Sequence, residues 1–270
     1  MIISDAYLQR FGGIGRLYGA DALTCFAHAH VCVVGIGGVG TWVAEALARS
    51  GIGQITLIDL DDICTTNTNR QIHALKGTVG HSKVAVMAER IRAINPDAIV
   101  NEVEEFVDLD NMAELLTNEF DYVVDCIDSV KAKTALIAHC QRRKIKLVTV
   151  GGAGGQLDPT RVQVSDLSKT IQDPLAAKVR SSLRKDYGFT SNPKRKFGVE
   201  CVFSDEPLRY PGSDGQVCLN KAEAEGPKAM DCASGFGAVT SVTGTFGFVA
   251  ASRVLIKLAE RNAREKAAAK

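Results

Sequence analysis

Residues 33–40, VVGIGGVG, place four glycines directly after an apolar run and before a helical pattern. The apolar run has the β-branched composition of a buried strand, and residues 39–50 carry apolar side chains at helical spacing. Glycines at such a turn let a phosphate approach the backbone, and the free amides of a helix N-terminus attract its charge. We therefore predict a nucleotide-binding turn. Its glycines are Gly35, Gly37, Gly38 and Gly40.

The first half of the chain alternates strand and helix patterns, which predicts an α/β fold with a Rossmann-like, mostly parallel sheet flanked by helices. Beyond residue 150 the patterns predict one more strand and two helices, and residues 200–228 show no regular pattern. The predicted strands are residues 31–34, 54–59, 99–103, 122–127, 147–150 and 161–166. The predicted helices are residues 39–50, 132–143, 174–187 and a helix capped by Ser82 that stops before Pro96.

The chain of 270 residues is long enough for one large α/β domain. We predict an N-terminal helical arm at residues 1–30 and an ATP-binding Rossmann-like core at residues 31–155. Residues 156–270 are predicted to be a substrate-facing and dimerisation part of the same domain, with a long apolar helix at residues 233–260.

Composition gives no global argument for a nucleic-acid or membrane partner, because the formal net charge is only +1. The N-terminus lacks a secretory pattern, and no cysteine pair has C-x-x-C spacing. We therefore expect a cytoplasmic protein with reduced cysteines and no structural zinc. Residues 232–252 contain no charge, but they are rich in Gly, Ser, Thr and Ala, which favours a core or interface helix over a membrane span.

The residues after the second strand distinguish ATP from a nicotinamide cofactor. Asp59 lies 24 residues after Gly35, at the position of a ribose-binding carboxylate. A triphosphate carries more negative charge than the glycine turn can hold, and a guanidinium suits the additional phosphates. The nearby candidates for phosphate contacts are Asn67, Arg70, Gln71 and Lys83. Lys83 alone would be read as a surface lysine, but in the first turn of a helix it opposes the helix dipole unless an anion is close.

Asp125 and Asp128 end the fourth strand at the edge of the sheet where ligands of such folds bind. Asp128 has two open readings, a cap for the next helix or a carboxylate beside Mg²⁺. Together with the glycine turn, these side chains predict a site for ATP with Mg²⁺.

The order G-x-G-G-x-G, D-x-D (Asp59, Asp61), N-x-x-R-Q, Lys83 and D-x-x-D resembles the ubiquitin-activating-like superfamily, whose members adenylate the C-termini of sulfur-carrier proteins. The resemblance covers about residues 8–155. The stretches NTNRQIHAL, GGAGGQLDPT, KTIQDPLAAK and DCASGFGA also resemble one subfamily, the tRNA threonylcarbamoyladenosine dehydratases, which are linked to a cysteine-desulfurase and sulfur-acceptor system.

The resemblance implies a role for each matching residue. Asp59 would hold the ATP ribose, with Asp61 and Gln71 in the same site, and Asn67 and Arg70 would hold the phosphates. Lys83 would neutralise charge as the phosphoryl bond breaks, and Asp128 would bind Mg²⁺ or orient the attacked phosphate. Arg70, Lys83 and Asp128 are thus the implied catalytic set.

Three departures from the superfamily pattern matter. Its arginine supplied by the neighbouring subunit has no clear match, since Arg10 fits but Gly13 stands where the second arginine belongs; Arg16 is the nearest substitute. The zinc ligands and an assignable thioester cysteine are also missing, and Cys201 and Cys232 are the candidates for the latter. The superfamily implies a homodimer.

The implied reaction is ATP-dependent dehydration of threonylcarbamoyladenosine in tRNA, and residues 169–196 carry eight Lys and Arg against two Asp, which fits an RNA-binding surface. The candidate tRNA contacts are Lys178, Arg184, Lys185, Lys194, Arg195 and Lys196. A second basic run comprises Arg142, Arg143, Lys144 and Lys146. The alternatives are adenylation of a small sulfur-carrier protein, a non-catalytic adaptor for a sulfur-transfer partner, and, last, a dehydrogenase.

Overall fold

A computed structural model describes residues 3–212, 216–219 and 236–268, and it contains a seven-stranded sheet in the order β3-β2-β1-β4-β5-β7-β6. All neighbouring strands are parallel except β6 and β7. The strands are β1 (His30–Val34), β2 (Gln54–Ile58), β3 (Ile99–Val103), β4 (Tyr122–Asp125), β5 (Leu147–Val150), β6 (Val162–Asp166) and β7 (Glu200–Ser204). β8 (Tyr210–Pro211) and β9 (Val217–Cys218) form a separate small hairpin.

Helices cover both faces of this sheet, as the alternating pattern predicts. Helices α2, α3, α4 and α8 contribute to the core on one face, and α5, α6 and α7 contribute to the core on the other. The bounds are α1 (Asp5–Tyr18), α2 (Ala20–His28), α3 (Gly40–Arg49), α4 (Lys83–Ile94), α5 (Met112–Leu115), α6 (Val130–Arg143), α7 (Pro174–Tyr187) and α8 (Thr240–Ala268). The α/β fold class is therefore confirmed.

The prediction of irregular chain from residue 200 is wrong for Glu200–Ser204. This segment is β7, which lies between β5 and β6 and pairs with both. Its side chains from Cys201 to Ser204 are buried because both faces of the sheet are covered there. Parallel strands that are buried on both faces read as short continuous apolar runs, a weak signal in a single sequence.

Helix α8 begins at Thr240 and runs to Ala268, so the predicted range 233–260 is displaced. Residues 236–239 precede it without helical structure, and residues 233–235 lie outside the described part of the chain. Its small residues allow close packing, because a Cβ added to Gly247 would lie 2.6 Å from the Cβ of Trp42 on α3. The helix is long and apolar enough to span a membrane by length and composition, but 56% of its most apolar window is buried inside the protein.

The strand order reverses between β1 and β4, since the chain continues from β1 to β2 on one side and reaches β4 on the other. In open α/β sheets a crevice forms at this point, outside the carboxyl ends of the strands. The glycine turn follows β1 at this edge, and residues 126–129 follow β4 beside it. The fold thus places the predicted site residues around one crevice.

Candidate nucleotide-binding site

The glycine turn connects β1 to α3 in a conformation that requires its glycines at two positions. Gly35 has a φ of 88°, in the region that disfavours side chains. A Cβ on Gly40 would lie 1.8 Å from the carbonyl oxygen of Gly35, so this position also excludes a side chain. The N-terminus of α3 is thereby brought close to the end of β1, as a phosphate-binding turn needs.

A cleft of about 1000 Å³ lies over this turn at the carboxyl edge of the sheet. It contains most of the predicted nucleotide contacts. The predicted residues that line it are Gly35, Gly37, Gly38, Asp59, Asp61, Arg70, Gln71, Lys83 and Asp128. Gly40 and Asn67 do not line it.

Asp59 and Lys83 form a charged group at the end of β2. The carboxylate of Asp59 accepts hydrogen bonds from the backbone N–H of Ile36 (2.6 Å) and of Asp61 (2.9 Å), so it fastens the glycine turn. Lys83 Nζ lies 2.6 Å from Asp61 Oδ2 and 3.8 Å from Asp59 Oδ1. Burial raises the pKa of Asp59, and the charge of Lys83 opposes that shift.

Lys83 is buried at 6% exposure, so the alternative of a solvated surface lysine is wrong. The anion that offsets its unfavourable place at the start of α4 is supplied by the protein itself, through Asp61. The position of Lys83 is thus explained without a bound phosphate. The side chain of Asp61 is 53% exposed, and both residues of this pair line the cleft.

Arg70 lines the cleft beside the glycine turn, and a Cβ on Gly38 would lie 3.2 Å from the Cδ of Arg70. Its guanidinium is held by the carbonyl of Thr66 (3.0 Å) and the side chain of Asn69 (2.9 Å). Gln71 is 5% exposed, and its Oε1 has no hydrogen-bond partner among the described residues. A buried unpaired amide oxygen in the wall of a cleft is an unused acceptor for a ligand.

Asn67 is buried in the turn before Arg70, where its Oδ1 accepts the backbone N–H of Cys64 at 3.0 Å. Its backbone carbonyl accepts the N–H groups of Arg70 and Gln71. In this structure Asn67 therefore shapes the loop that presents Arg70 and Gln71.

The two aspartates after β4 have different surroundings. Asp125 is fully buried and pairs with Lys133 Nζ at 2.8 Å, while Asp128 is exposed and lines the cleft. Ser129, not Asp128, is the N-cap residue of α6, and no side-chain capping bond forms there. The capping alternative for Asp128 is therefore wrong, and Asp128 is part of the cleft lining.

The wall opposite the glycine turn comes from the residues after β5 and the start of α7, which the sequence analysis quoted for the subfamily resemblance but did not predict as nucleotide contacts. Gly151, Gly152 and Leu175 line the cleft. Asp173 holds this wall, since its Oδ2 accepts the N–H of Gly152 (3.0 Å) and its Oδ1 accepts the N–H of Ala176 (2.9 Å). Burial raises the pKa of Asp173.

Comparison with known proteins identifies the family of this chain. The model of the ThiF family matches residues 14–269. The chain belongs to the ThiF family.

Two similar proteins and one solved structure match over nearly their whole length. A protein of Escherichia coli (strain K12) named tRNA threonylcarbamoyladenosine dehydratase is 64% identical and matches 98% of this chain and 99% of its own length. The protein of that name from Haemophilus influenzae is 57% identical over 95% of this chain and 96% of its own length. A crystal structure of the E. coli enzyme, TcdA, in complex with ATP has 58% identity and a TM-score of 0.87, and the match covers 98% of this chain and 99% of that chain.

The alternative of a sulfur-carrier adenylating enzyme has a weaker match. The molybdopterin-synthase adenylyltransferase of E. coli is 32% identical over only 54% of this chain. Cys201, one of the candidate thioester cysteines, lies in β7 at 1% exposure, and burial raises the pKa of its thiol. Cys232 lies outside the described residues.

Most residues of the two basic runs of this ThiF-family chain lie at the edge of the sheet opposite the cleft. Helices α6 and α7 both start beside the cleft and have 14 residues each, so their C-termini lie about 20 Å away. The two basic runs meet there, because Arg142 stacks on Tyr187 (5.5 Å) and Arg184 on Phe197 (5.3 Å). We call this the far-edge basic surface. It comprises Arg142, Arg143, Lys144, Lys146, Arg184, Lys185, Lys194, Arg195 and Lys196. Lys178 is exposed nearer the middle of α7.

Arg10 and Arg16, the candidates for an arginine supplied to a neighbouring subunit, are both exposed on α1. Neither lines the cleft of its own chain.

Proposed function

We propose that this chain catalyses the ATP-dependent dehydration of threonylcarbamoyladenosine in tRNA, which closes a ring on the modified base. One observation carries the proposal: relatives with this activity in their name match 95–98% of the chain at 57–64% identity. The cleft supports it, because Arg70, Lys83 and Asp128 face one cavity with the glycine turn.

The chemistry needs an activated carboxylate, since hydroxide is a poor leaving group. An oxygen of the threonyl carboxylate attacks a phosphorus atom of ATP, and pyrophosphate or ADP leaves. The carbamoyl group then attacks the activated carbonyl carbon, and AMP or phosphate leaves with the oxygen that would have become water. The second step is intramolecular, so holding the substrate in place accounts for much of its rate.

Five of the predicted nucleotide contacts have a role in this proposal. Asp59 binds the ribose with the lone pairs left free by its two backbone hydrogen bonds, and Gln71 offers its unpaired oxygen. Arg70 holds phosphate oxygens, and Lys83 shifts from Asp61 towards the phosphate on which negative charge develops. Asn67 acts through the loop that carries Arg70.

The site also fits Mg²⁺, because Asp128 lines the cleft and its carboxylate does not cap helix α6. Asp128 would hold the ion together with phosphate oxygens, and the ion would neutralise phosphate charge.

The far-edge basic surface would bind the phosphate backbone of the tRNA, while the modified base enters the cleft. A tRNA is several times longer than the roughly 20 Å between the two. Stacking on Tyr187 and Phe197 orders two of the arginines, which lowers the entropy lost when phosphates bind.

The remaining parts of the proposal concern the assembly. We propose a homodimer in which Arg10 or Arg16 of one copy reaches the cleft of the other. We further propose a cytoplasmic enzyme that contacts a cysteine-desulfurase or sulfur-acceptor protein.

The test is to incubate the pure protein with ATP, Mg²⁺ and tRNA carrying threonylcarbamoyladenosine, and to weigh the nucleosides after gentle digestion. Loss of one water from the modified nucleoside is expected, and Arg70→Ala should abolish it. Arg92→Ala, on α4 and paired with Glu102, is the matched control and should remain active. An unchanged nucleoside, with ATP consumed only when a carrier protein is added, would refute the proposal in favour of carrier adenylation.

A further inference from the structure

The four residues between β4 and α6, Cys126, Ile127, Asp128 and Ser129, all line the cleft, and we call them the β4–α6 turn. Asp128 is exposed within it, so the place of its carboxylate depends on the backbone of the turn. Contacts that hold the backbone of this turn therefore also determine the position of the Asp128 carboxylate.

A buried lysine donates a hydrogen bond to the backbone of this turn. Lys133 is 2% exposed, and its Nζ donates to the carbonyl of Ile127 (2.8 Å) and to Asp125 Oδ2 (2.8 Å). The other carboxylate oxygen of Asp125 accepts the N–H of Ile127 at 3.1 Å, and Thr149 Oγ1 donates to Asp125 Oδ2 at 2.6 Å. Both backbone groups of Ile127, the neighbour of Asp128, are thus tied to one ion pair.

Stability alone does not explain a lysine here. An apolar side chain of similar volume often serves a protein core as well as a buried ion pair does. An apolar residue would, however, leave the Ile127 carbonyl without its donor, and the turn would be free to seek another. The distinctive property of Lys133 is this bond to the turn.

We infer that Lys133 is a positioning residue, which holds Asp128 in place for Mg²⁺ and ATP through the carbonyl of Ile127. The inference rests on the role proposed above for Asp128. Lys133 does not line the cleft, and its hydrogen bond to Ile127 connects it to the lining through the turn.

The experiment is a double-mutant cycle of Lys133→Met and Asp128→Ala, read as the Kd for ATP by calorimetry, with Mg²⁺ and then with EDTA. With Mg²⁺, Lys133→Met should weaken ATP binding about fivefold or more when Asp128 is present and less than twofold in Asp128→Ala. With EDTA, Lys133→Met should change the Kd less than twofold. The dehydration rate should follow the Mg²⁺ pattern.

Thr134→Val is the matched control, because Thr134 is buried on the same helix turn and donates to Val130 rather than to the β4–α6 turn. It should bind Mg²⁺ and ATP like the wild type. If Lys133→Met does not fold, Asp125→Asn with Lys133→Met removes both charges and replaces it in the cycle.

Equal weakening in both Asp128 backgrounds, or equal weakening with EDTA, would overturn the inference and leave Lys133 a structural residue. No weakening at all would overturn it as well. A wild type that binds Mg²⁺ and ATP yet leaves the modified nucleoside unchanged would refute the proposed function, while the cycle would still decide the role of Lys133.

Discussion

Lys83 and Lys133 each pair with an aspartate at the carboxyl end of a strand that flanks β1, but only one of the two pairs is open to the cleft. Lys83 faces Asp61, which is 53% exposed, at the end of β2. Lys133 faces Asp125, at 2% and 0% exposure, at the end of β4. A pair beside water can exchange partners at little cost, whereas a dry pair cannot, because an unpaired charge in the core is expensive. The same two residue types therefore suit a reacting site in one place and a fixed support in the other.

The largest expected effect concerns the buried ion pair of Lys133 and Asp125. Lys133→Met should lower the free energy of unfolding by about 3–5 kcal/mol, because it leaves the Asp125 charge buried and unpaired. Adding Asp125→Asn should restore most of that loss. Urea unfolding measures both. Lys83→Met serves as the comparison and should cost less, since the side chain of Asp61 is half exposed and the buried Asp59 keeps its two backbone hydrogen bonds. Equal losses would erase the distinction between the pairs.

The pair of Lys83 and Asp61, which lines the cleft, is tested by measuring the rate of dehydration. Lys83→Met should lower the rate of dehydration about 100-fold or more, because a preorganised charge near the reacting phosphate is lost. Single-turnover assays with mass analysis of the nucleoside measure this rate. Lys76→Met, an exposed lysine a few residues before α4, should react like the wild type. A normal rate for Lys83→Met would limit Lys83 to a structural pairing with Asp61.

A third test concerns His73, which lies on the β2 side of the cleft behind the glycine turn, with its Nε2 3.2 Å from the carbonyl of Ile36. Burial lowers the pKa of His73 from 6.5 to about 4. As the pH falls from 6.5 to about 4, the unfolded chain binds the proton before the folded one, so stability is lost over this window. At pH 5 the loss should be about 2 kcal/mol.

His73→Gln keeps a nitrogen donor near Ile36 and should remove that part of the pH dependence. Urea unfolding at pH 7, 6 and 5 gives the slope. His81→Gln, at an exposed histidine, should keep the wild-type slope. If His73→Gln also keeps it, the acid sensitivity arises elsewhere.

The smallest effect contrasts the cleft with the far-edge basic surface. Changing Lys194, Arg195 and Lys196 to Ala together should weaken tRNA binding about tenfold and reduce its salt dependence, because fewer counterions are released. The affinity for ATP should stay unchanged. Alanine at Lys76, Arg264 and Lys266 removes three exposed charges elsewhere and should have little effect on tRNA binding. Equal weakening by both sets would mean that net charge, not this surface, matters.

The sequence was sufficient to predict β1 to β6 and the edge of the sheet where the nucleotide site lies. Glycine spacing, a carboxylate at a strand end and apolar periodicity are local signals, and they mark Gly35, Asp59 and Lys83 as neighbours in space. β7 escaped prediction because its partners, β5 and β6, lie about 35–50 residues earlier in the chain. Nothing local to residues 200–204 records that pairing.

The buried position of Lys133 was also not predicted, although the sequence contains a signal for it. Lys133, Ile137 and Cys140 recur at i, i+4 and i+7 on the buried face of α6, so a charge stands in an apolar stripe. Such a charge indicates a buried partner. The identity of that partner, Asp125 on β4, follows only from the packing of α6 against the strand. Likewise, Lys83 was expected to need a bound anion, and only the three-dimensional structure shows Asp61 in that role.

The position of β7, about 35 residues after β6 in the chain, has a consequence for synthesis on the ribosome. β5 ends at Val150 and β6 at Asp166, yet the strand that joins them begins only at Glu200. Until then, the nascent chain carries an open strand edge on β5 and, in β6, a strand whose sheet partner has not been made. Unpaired edges of this kind promote association between chains. A nascent chain stalled between these points is therefore the form of this protein most in need of a chaperone.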